Sequence, residues 1–266
     1  SLYTDSTIPS ATQESYTYMI FKAGSIIYAR NGKTGAIDYS GTNAREIITN
    51  AFSKLTSGRN WKEKVILKGN FTIHSPLLLP SYLILQIDGK ITLNDSVNDD
   101  VIKNKHQGSG QGDTDIDIIG GELDGNGAQQ TSGLGINIKG DACTRISIIG
   151  VYIHDCKQAG IDINSAGANF PTKVVIKNCI LMDNYHGITV RAIDSIIEGN
   201  IANSNAKSGI YIMHGYDITI SNNIANDNED WDGISNDFGC NLTITNNLCC
   251  CLLYTSPSPR DRQKLV

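Results

Sequence analysis

The 266-residue chain has no apolar stretch long enough to cross a bilayer as a helix, which takes about 20 residues. It also lacks a basic excess. Lys and Arg number 22 against 27 Asp and Glu, for a formal charge of −5, so the positive footprint of a nucleic-acid binder is absent. Neither nucleic acid nor membrane is an expected partner. The seven cysteines lack metal-type spacing: Cys143, Cys156, Cys179 and Cys240 are scattered, and Cys249 to Cys251 form one run. Cys179 reads as a small core residue. The repeating part of the chain carries no helical period either.

What the chain does have is a repeated phrase. Gly135-Ile-Asn-Ile, Gly160-Ile-Asp-Ile, Gly187-Ile-Thr-Val, Gly209-Ile-Tyr-Ile and Gly233-Ile-Ser-Asn follow one another at intervals of 25, 27, 22 and 24 residues. A second series, beginning at Ile176, Ile197, Ile220 and Ile244, steps by 21, 23 and 24. Two-residue alternation between Gly, Asn and Asp turn residues, at this period, signals a solenoid of short strands. Inward Ile and Val then stack on their copies in the next turn, about 4.8 Å away. Asn200, Asn223 and Asn247 form one column, preceded by Cys179, and Asn184, Asn205 and Asn228 suggest another. Stacked side-chain amides can hydrogen-bond along such columns and satisfy the polar groups of sharp turns.

This pattern resembles the right-handed parallel β-helix of the pectate-lyase-like superfamily, over roughly Asn43 to Leu248. Gly120-Gly-Glu-Leu-Asp-Gly-Asn-Gly127 is similar to a segment common in the early coils of that superfamily. The expected class is all-β, a parallel β-helix over residues 41–250 with a short N-terminal capping helix. Asn43 to Leu55 supplies the helix: Ala44, Ile47, Ile48, Ala51, Phe52 and Leu55 make one apolar face, and Asn43 and Glu46 have capping-box spacing. A plug is needed because an open coil end exposes strand edges and core. Val65 to Leu67, Phe71 to Ile73, Leu83 to Ile87 and Ile91 to Leu93 read as the first coils. Residues 1–40 read as a separate hairpin, with strands near Tyr16 to Phe21 and Ile26 to Ala29.

The stretch Cys251-Leu-Leu-Tyr-Thr-Ser-Pro-Ser-Pro-Arg-Asp261 resembles the conceptual translation of a sequencing-library adapter. Residues 251–266 are therefore expected to be a non-native tail, and the chain a metagenomic fragment.

The resemblance implies that ligands lie along the outer face of the Gly-Ile-x-Ile strands. Counting from each glycine, the second residue points outward (Asn137, Asp162, Thr189, Tyr211, Ser235), and so does the fourth (Lys139, Asn164, Arg191, Met213, Asp237). Leu134, Ala159, His186, Ser208 and Asp232 sit at the mouth. Acids, bases, an imidazole and a phenol share this surface. Proton abstraction beside a uronate carboxylate needs a base, a proton donor and a neutralising cation. Arg191 or Lys207 can neutralise, while His186, His214 or Tyr211 can move the proton. Lys139, Asp162, Asp232 and Asp237 are the candidate substrate-binding residues. The structural alternative pairs Arg191 with Asp162 one coil below.

Hydrolysis would instead use two flanking carboxylates, for which Asp232 and Asp237 offer themselves. Trp231-Asp232-Gly-Ile and Tyr185-His186-Gly-Ile resemble two polygalacturonase elements, but their order is reversed and that family's other motifs are missing. Asp227, Glu229, Asp230 and Asp232 crowd one loop; Asp227, Asp230 and Asp232 are candidate ligands for calcium. Asp113, Asp115 and Asp117 alternate and are expected to share one solubilising outward face. His74, His106 and His154 have no partner in the sequence, and His106 reads as exposed.

Two classes follow. One is an enzyme on acidic polysaccharide, of lyase or uronate-epimerase type ahead of a hydrolase. The other is a non-catalytic glycan-binding tail fibre or adhesin, monomeric or, as a fibre, trimeric. Either implies an extracellular or virion-surface location.

Overall fold

The computed structural model describes residues 15–249, so the expected tail at 251–266 lies outside the described residues. The chain winds into a right-handed parallel β-helix whose turns each contribute strands to three faces. The first face collects Leu77–Leu79, Ile102–Asn104, Ile136–Lys139, Ala159–Asn164, the leading halves of His186–Glu198 and Ile210–Ser221, and Ile234–Asn236. The second collects Glu63–Lys68, Leu83–Asp88, Thr114–Ile119, Thr144–Ile149, Thr172–Lys177, the trailing halves of the two long strands, and Gly239–Thr245. Six three- or four-residue strands, from Phe71–Ile73 to Ile201–Asn203, make the third.

The repeated phrase is what stacks. Ile136, Ile161, Ile188, Ile210 and Ile234 are successive parallel partners on the first face. The first four are fully buried. Burying such a side chain contributes about 2 kcal/mol before chain entropy is counted. The glycine ahead of each isoleucine answers to close approach. A Cβ on Gly187 would lie 2.4 Å from the Gly209 carbonyl oxygen, and one on Gly135 equally close to that of Gly160. Only glycine lets neighbouring rungs come that near.

Single left-handed residues make the corners. Tyr82, Asp115, Arg145, Lys173, Asp194, Asp217 and Asn241, each just before or at the start of its second-face strand, have φ between +51° and +59°. Asp and Asn tolerate this conformation better than other residues with a side chain, and they fill four of these seven corners. Both asparagine columns form. Asn200 Nδ2 donates to Asn223 Oδ1 (3.0 Å), and Asn223 Nδ2 to Asn247 Oδ1 (2.9 Å). In the other column Asn184 donates to Asn205 (3.3 Å) and Asn205 to Asn228 (3.1 Å). Each Oδ1 also takes the backbone N–H of the residue below. Both ladders end on a buried cysteine, whose N–H donates to the first amide: Cys179 to Asn200 (2.9 Å) and Cys156 to Asn184 (3.0 Å).

Helix α1 (Ala44–Ser53) starts where expected, with Asn43 Oδ1 accepting from Glu46 N at 3.3 Å. It buries Ala44, Ile47, Ile48, Ala51 and Phe52 over the first coil. The N-terminal strands are joined to the solenoid. Tyr18–Ala23 pairs antiparallel with Ile26–Asn31 but parallel with Glu63–Lys68, extending the second face by a rung. A third strand, Ile37–Gly41, pairs with Ile26–Asn31.

Candidate functional site

The outer surface of the first face carries two aromatic groups, one at each end of its later strands. At the mouth, His186 stacks on Tyr211 (ring centroids 5.3 Å) and meets Tyr185 and Trp231 edge-on at 5.0 and 5.4 Å. Tyr185 and Trp231 remain 46% and 40% exposed, so their rings are available to a ligand. Lys207 lies over both, 5.9 and 5.8 Å from their centroids, and forms an ion pair with Asp230.

At the far end the register slips between Val190 and Arg191, so Arg191 faces His214 and Met213 drops out of its expected column. Phe170, from the 164–172 loop, sits 5.1 Å from His214 and 6.3 Å from Tyr216, and Phe238 lies 6.0 Å from His214 at 66% exposure. The Arg191 guanidinium lies 5.8 Å from the Phe170 ring and contacts Ser165 Oγ at 3.5 Å. Its Nε is buried without a partner, and Arg191 makes no ion pair among the described residues. The alternative pairing with Asp162 does not form.

Between the groups run the carboxylates. Tyr211 donates its hydroxyl proton to Asp237, and Thr189 donates to Asp162. Burial pushes the Asp162 carboxyl above its ordinary pKa, and the Asp100 charge adds to the effect. Lys139 is exposed at the lower end of the outer row. His186 behaves otherwise than a ready proton carrier: burial, then the Lys207 charge, lower it to about 4. Its Nδ1 accepts from Ser208 N at 3.2 Å, so the neutral ring carries its proton on Nε2. The structure thus brings His186, Lys207 and Tyr211 into one group and Arg191 and His214 into the other.

Asp227, Asp230 and Asp232 are all exposed, and their carboxylates do not gather as a cation cage; Asp230 turns to Lys207. Among the described residues one trio does converge, Asp124, His154 and Asp155 on the third face, with ligand atoms within 4.8 Å. Lys90 already bridges Glu122 and Asp124 there, at 2.9 and 2.7 Å. With an imidazole nitrogen among its donors and an ammonium already on its carboxylates, this cluster does not fit calcium, which takes oxygen ligands.

Three other expectations change. His154 is held between Asp155 (2.6 Å) and Glu122 (3.0 Å). His106 is exposed as expected but has a partner: its Nδ1 meets Asp113 at 2.8 Å, and Asp113 is buried under Ser81 and Asn104. Asp115 pairs with Arg145 and Asp117 with Lys62, so the three alternating aspartates share no solvated face. The sequence reading missed Tyr185 and Trp231 as surface platforms, although each flanks a repeat motif, and missed Phe170, Tyr216 and Phe238.

A family model described as "Right handed beta helix region" matches residues 110–249. No curated protein sequence matches the chain. Among solved structures, the tailspike of E. coli bacteriophage HK620, crystallised with a pentasaccharide, superposes with a TM-score of 0.59 at 14% identity, covering 77% of this chain and 41% of that one. The surface adhesin PfbA of Streptococcus pneumoniae gives 0.59 at 15%, covering 77% and 58%. Gene product 12 of bacteriophage phi29, in its pre-mature form, gives 0.56 at 21%, covering 75% and 32%. The chain therefore spans about half or less of the length of most of these structures, and at such identities they share its fold.

Proposed function

The chain belongs to the right-handed β-helix family, and from that premise we propose that its first face binds an acidic polysaccharide at a virion or cell surface. One observation carries the reading: exposed aromatic rings stand at both ends of the face, and the arginine within one of these groups has no ion-pair partner among the described residues. Flat rings offer stacking area for sugar faces at little entropic cost. A guanidinium without an internal carboxylate is suited to a planar, bidentate acid such as a uronate. The solenoid neighbours include a tailspike bound to an oligosaccharide and a surface adhesin, which agrees with such a role.

A second reading, turnover of the lyase or uronate-epimerase type, is favoured by the register slip. It sets His214 beside Arg191, with the Tyr216 hydroxyl 3.4 Å from His214 Nε2. A cation to neutralise the carboxylate then stands next to an imidazole that can take the α-proton and a phenol that can return one. The test is incubation with pectate and alginate, with and without calcium, following retention on the immobilised polymer, ultraviolet absorbance of an unsaturated product, and exchange of polymer hydrogen for solvent deuterium. Retention with neither absorbance nor exchange supports binding alone. Either signal lost in His214→Ala supports turnover, of the lyase or epimerase type respectively, and no retention and no signal sinks both readings. Sedimentation of the same sample tests whether a fibre-like trimer forms.

A further inference from the structure

We propose that Asp162 carries a proton in the folded protein, donated to Asn137 Oδ1 on the rung below, and that this neutral carboxyl is what lets a polyanion lie on the first face. The second half rests on the polysaccharide reading; the first does not.

Asp100 lies one rung below Asn137. Asp100 is 5% exposed and accepts from Leu134 N at 2.8 Å, with the Lys103 ammonium 3.5 Å away. Asn137 Nδ2 donates to Asp100 Oδ2 at 2.7 Å. An anion takes only the NH₂ end of an amide, so the orientation of Asn137 is fixed. Its carbonyl oxygen is consequently turned away from Asp100, and there it is buried with no partner. On the next rung the residue in register is Asp162. Adjacent rungs stand about 4.8 Å apart, within reach of two short side chains. Asn137 Oδ1 is thus a buried acceptor with no donor, which is costly, and one proton on the half-buried Asp162, which otherwise only accepts, from Thr189 and Asn164, supplies it.

Arg191 gives an independent indication. It sits on the following rung, yet its Nη1 goes to Ser165 Oγ and it forms no ion pair with Asp162. An ionised carboxylate beside a guanidinium without a partner would draw it in. The other groups facing Asp162 are Thr189, which donates to it, Asn164 at 3.4 Å, Asp100 and Lys139. Burial, the largest influence, and Asp100 favour the protonated form, while the hydrogen bonds from Thr189 and Asn164 and the Lys139 charge oppose it. With Asp162 neutral, Arg191 and Lys139 dominate this part of an otherwise acidic chain.

The test compares the wild type with Asp162→Asn and His214→Gln over a pH series. Asparagine keeps a donor toward Asn137 but cannot ionise. A carboxyl whose folded value is raised contributes stability below its unfolded value and loses that contribution as pH rises through the folded one. The wild type should therefore show a decline in denaturation midpoint with rising pH that Asp162→Asn lacks. Wild-type affinity for polygalacturonate should weaken about tenfold over the same range, for one new charge near the ligand. Asp162→Asn should show a flatter slope, while His214→Gln isolates the part due to the imidazole. Superimposable pH–stability curves for wild type and Asp162→Asn would overturn the proposal. No polygalacturonate binding at any pH, with the stability difference intact, would sink the polysaccharide reading and leave the proton in place.

Discussion

Arg191 stands across from His214 because one extra residue, Met213, is accommodated as the two long strands pass each other. The slip gives a cation and an imidazole a common address that equal spacing would deny them. Arg191 makes no ion pair there among the described residues.

Arg191→Ala should weaken binding of a uronate polymer between about tenfold and a hundredfold, the range for charge-assisted hydrogen bonds. Binding of a neutral glycan should change little. Arg191→Lys should recover only part of the loss, since it restores charge without the planar fork. Isothermal titration with both polymer types checks this, and equal losses for the two would rule out carboxylate recognition.

His186 makes stability depend on acidity in a defined direction. The unfolded chain protonates this imidazole near 6.5, the folded chain only near 4. Its contribution is complete above about pH 6.5 and drains away as the pH falls toward 4, by on the order of 2–3 kcal/mol. Denaturation midpoints for His186→Gln should be flatter across that window than those of the wild type, whatever the offset between them.

Asn205→Ala should destabilise the protein by about 2–5 kcal/mol. It strips the partner from the Asn184 N–H (3.2 Å) and from the Leu181 carbonyl (3.2 Å), both inside the wall. Hydrogen exchange should show the opening concentrated at the corner around Asn184 and Asn228, because coils contact only their neighbours. Uniform exchange along the rod would contradict a ladder role.

Lys173 holds φ at +56° with an exposed side chain. Lys173→Asn should raise stability by about 0.5–1 kcal/mol, since asparagine tolerates the left-handed corner better. Asp194 and Asp217 occupy the same corner on later turns, and replacing either with lysine should cost a similar amount. Urea midpoints decide both halves.

The solenoid was legible because its determinants recur. Five Gly-Ile phrases announce one stacked row, and Asn200, Asn223 and Asn247 announce a ladder by falling on one column. The start of α1 was legible from Asn43 for the same local reason. What the sequence hid was set by neighbours one turn away. His154 meets Glu122 across 32 residues, and the alternation of Asp113, Asp115 and Asp117 is broken by a left-handed corner at Asp115 that sends them to different environments. The ladder role of Cys156 had a signal that went unread: it stands ahead of Asn184 much as Cys179 stands ahead of Asn200. At the site, an interval of 22 residues fixes the length of a coil but not where its surplus residue goes, so the Arg191–His214 pairing stayed invisible. Phe170 arrives from an insertion that belongs to no repeat.

In-register stacking has a consequence for how such a surface can grow. Each layer meets only the layer above and the layer below, through the same isoleucines and the same amide oxygens. Duplicating one turn therefore adds about 4.8 Å of platform without asking any existing interior contact to change. The length of the first face is adjustable by copying, while its chemistry at any one point is adjusted separately by whichever side chains face outward.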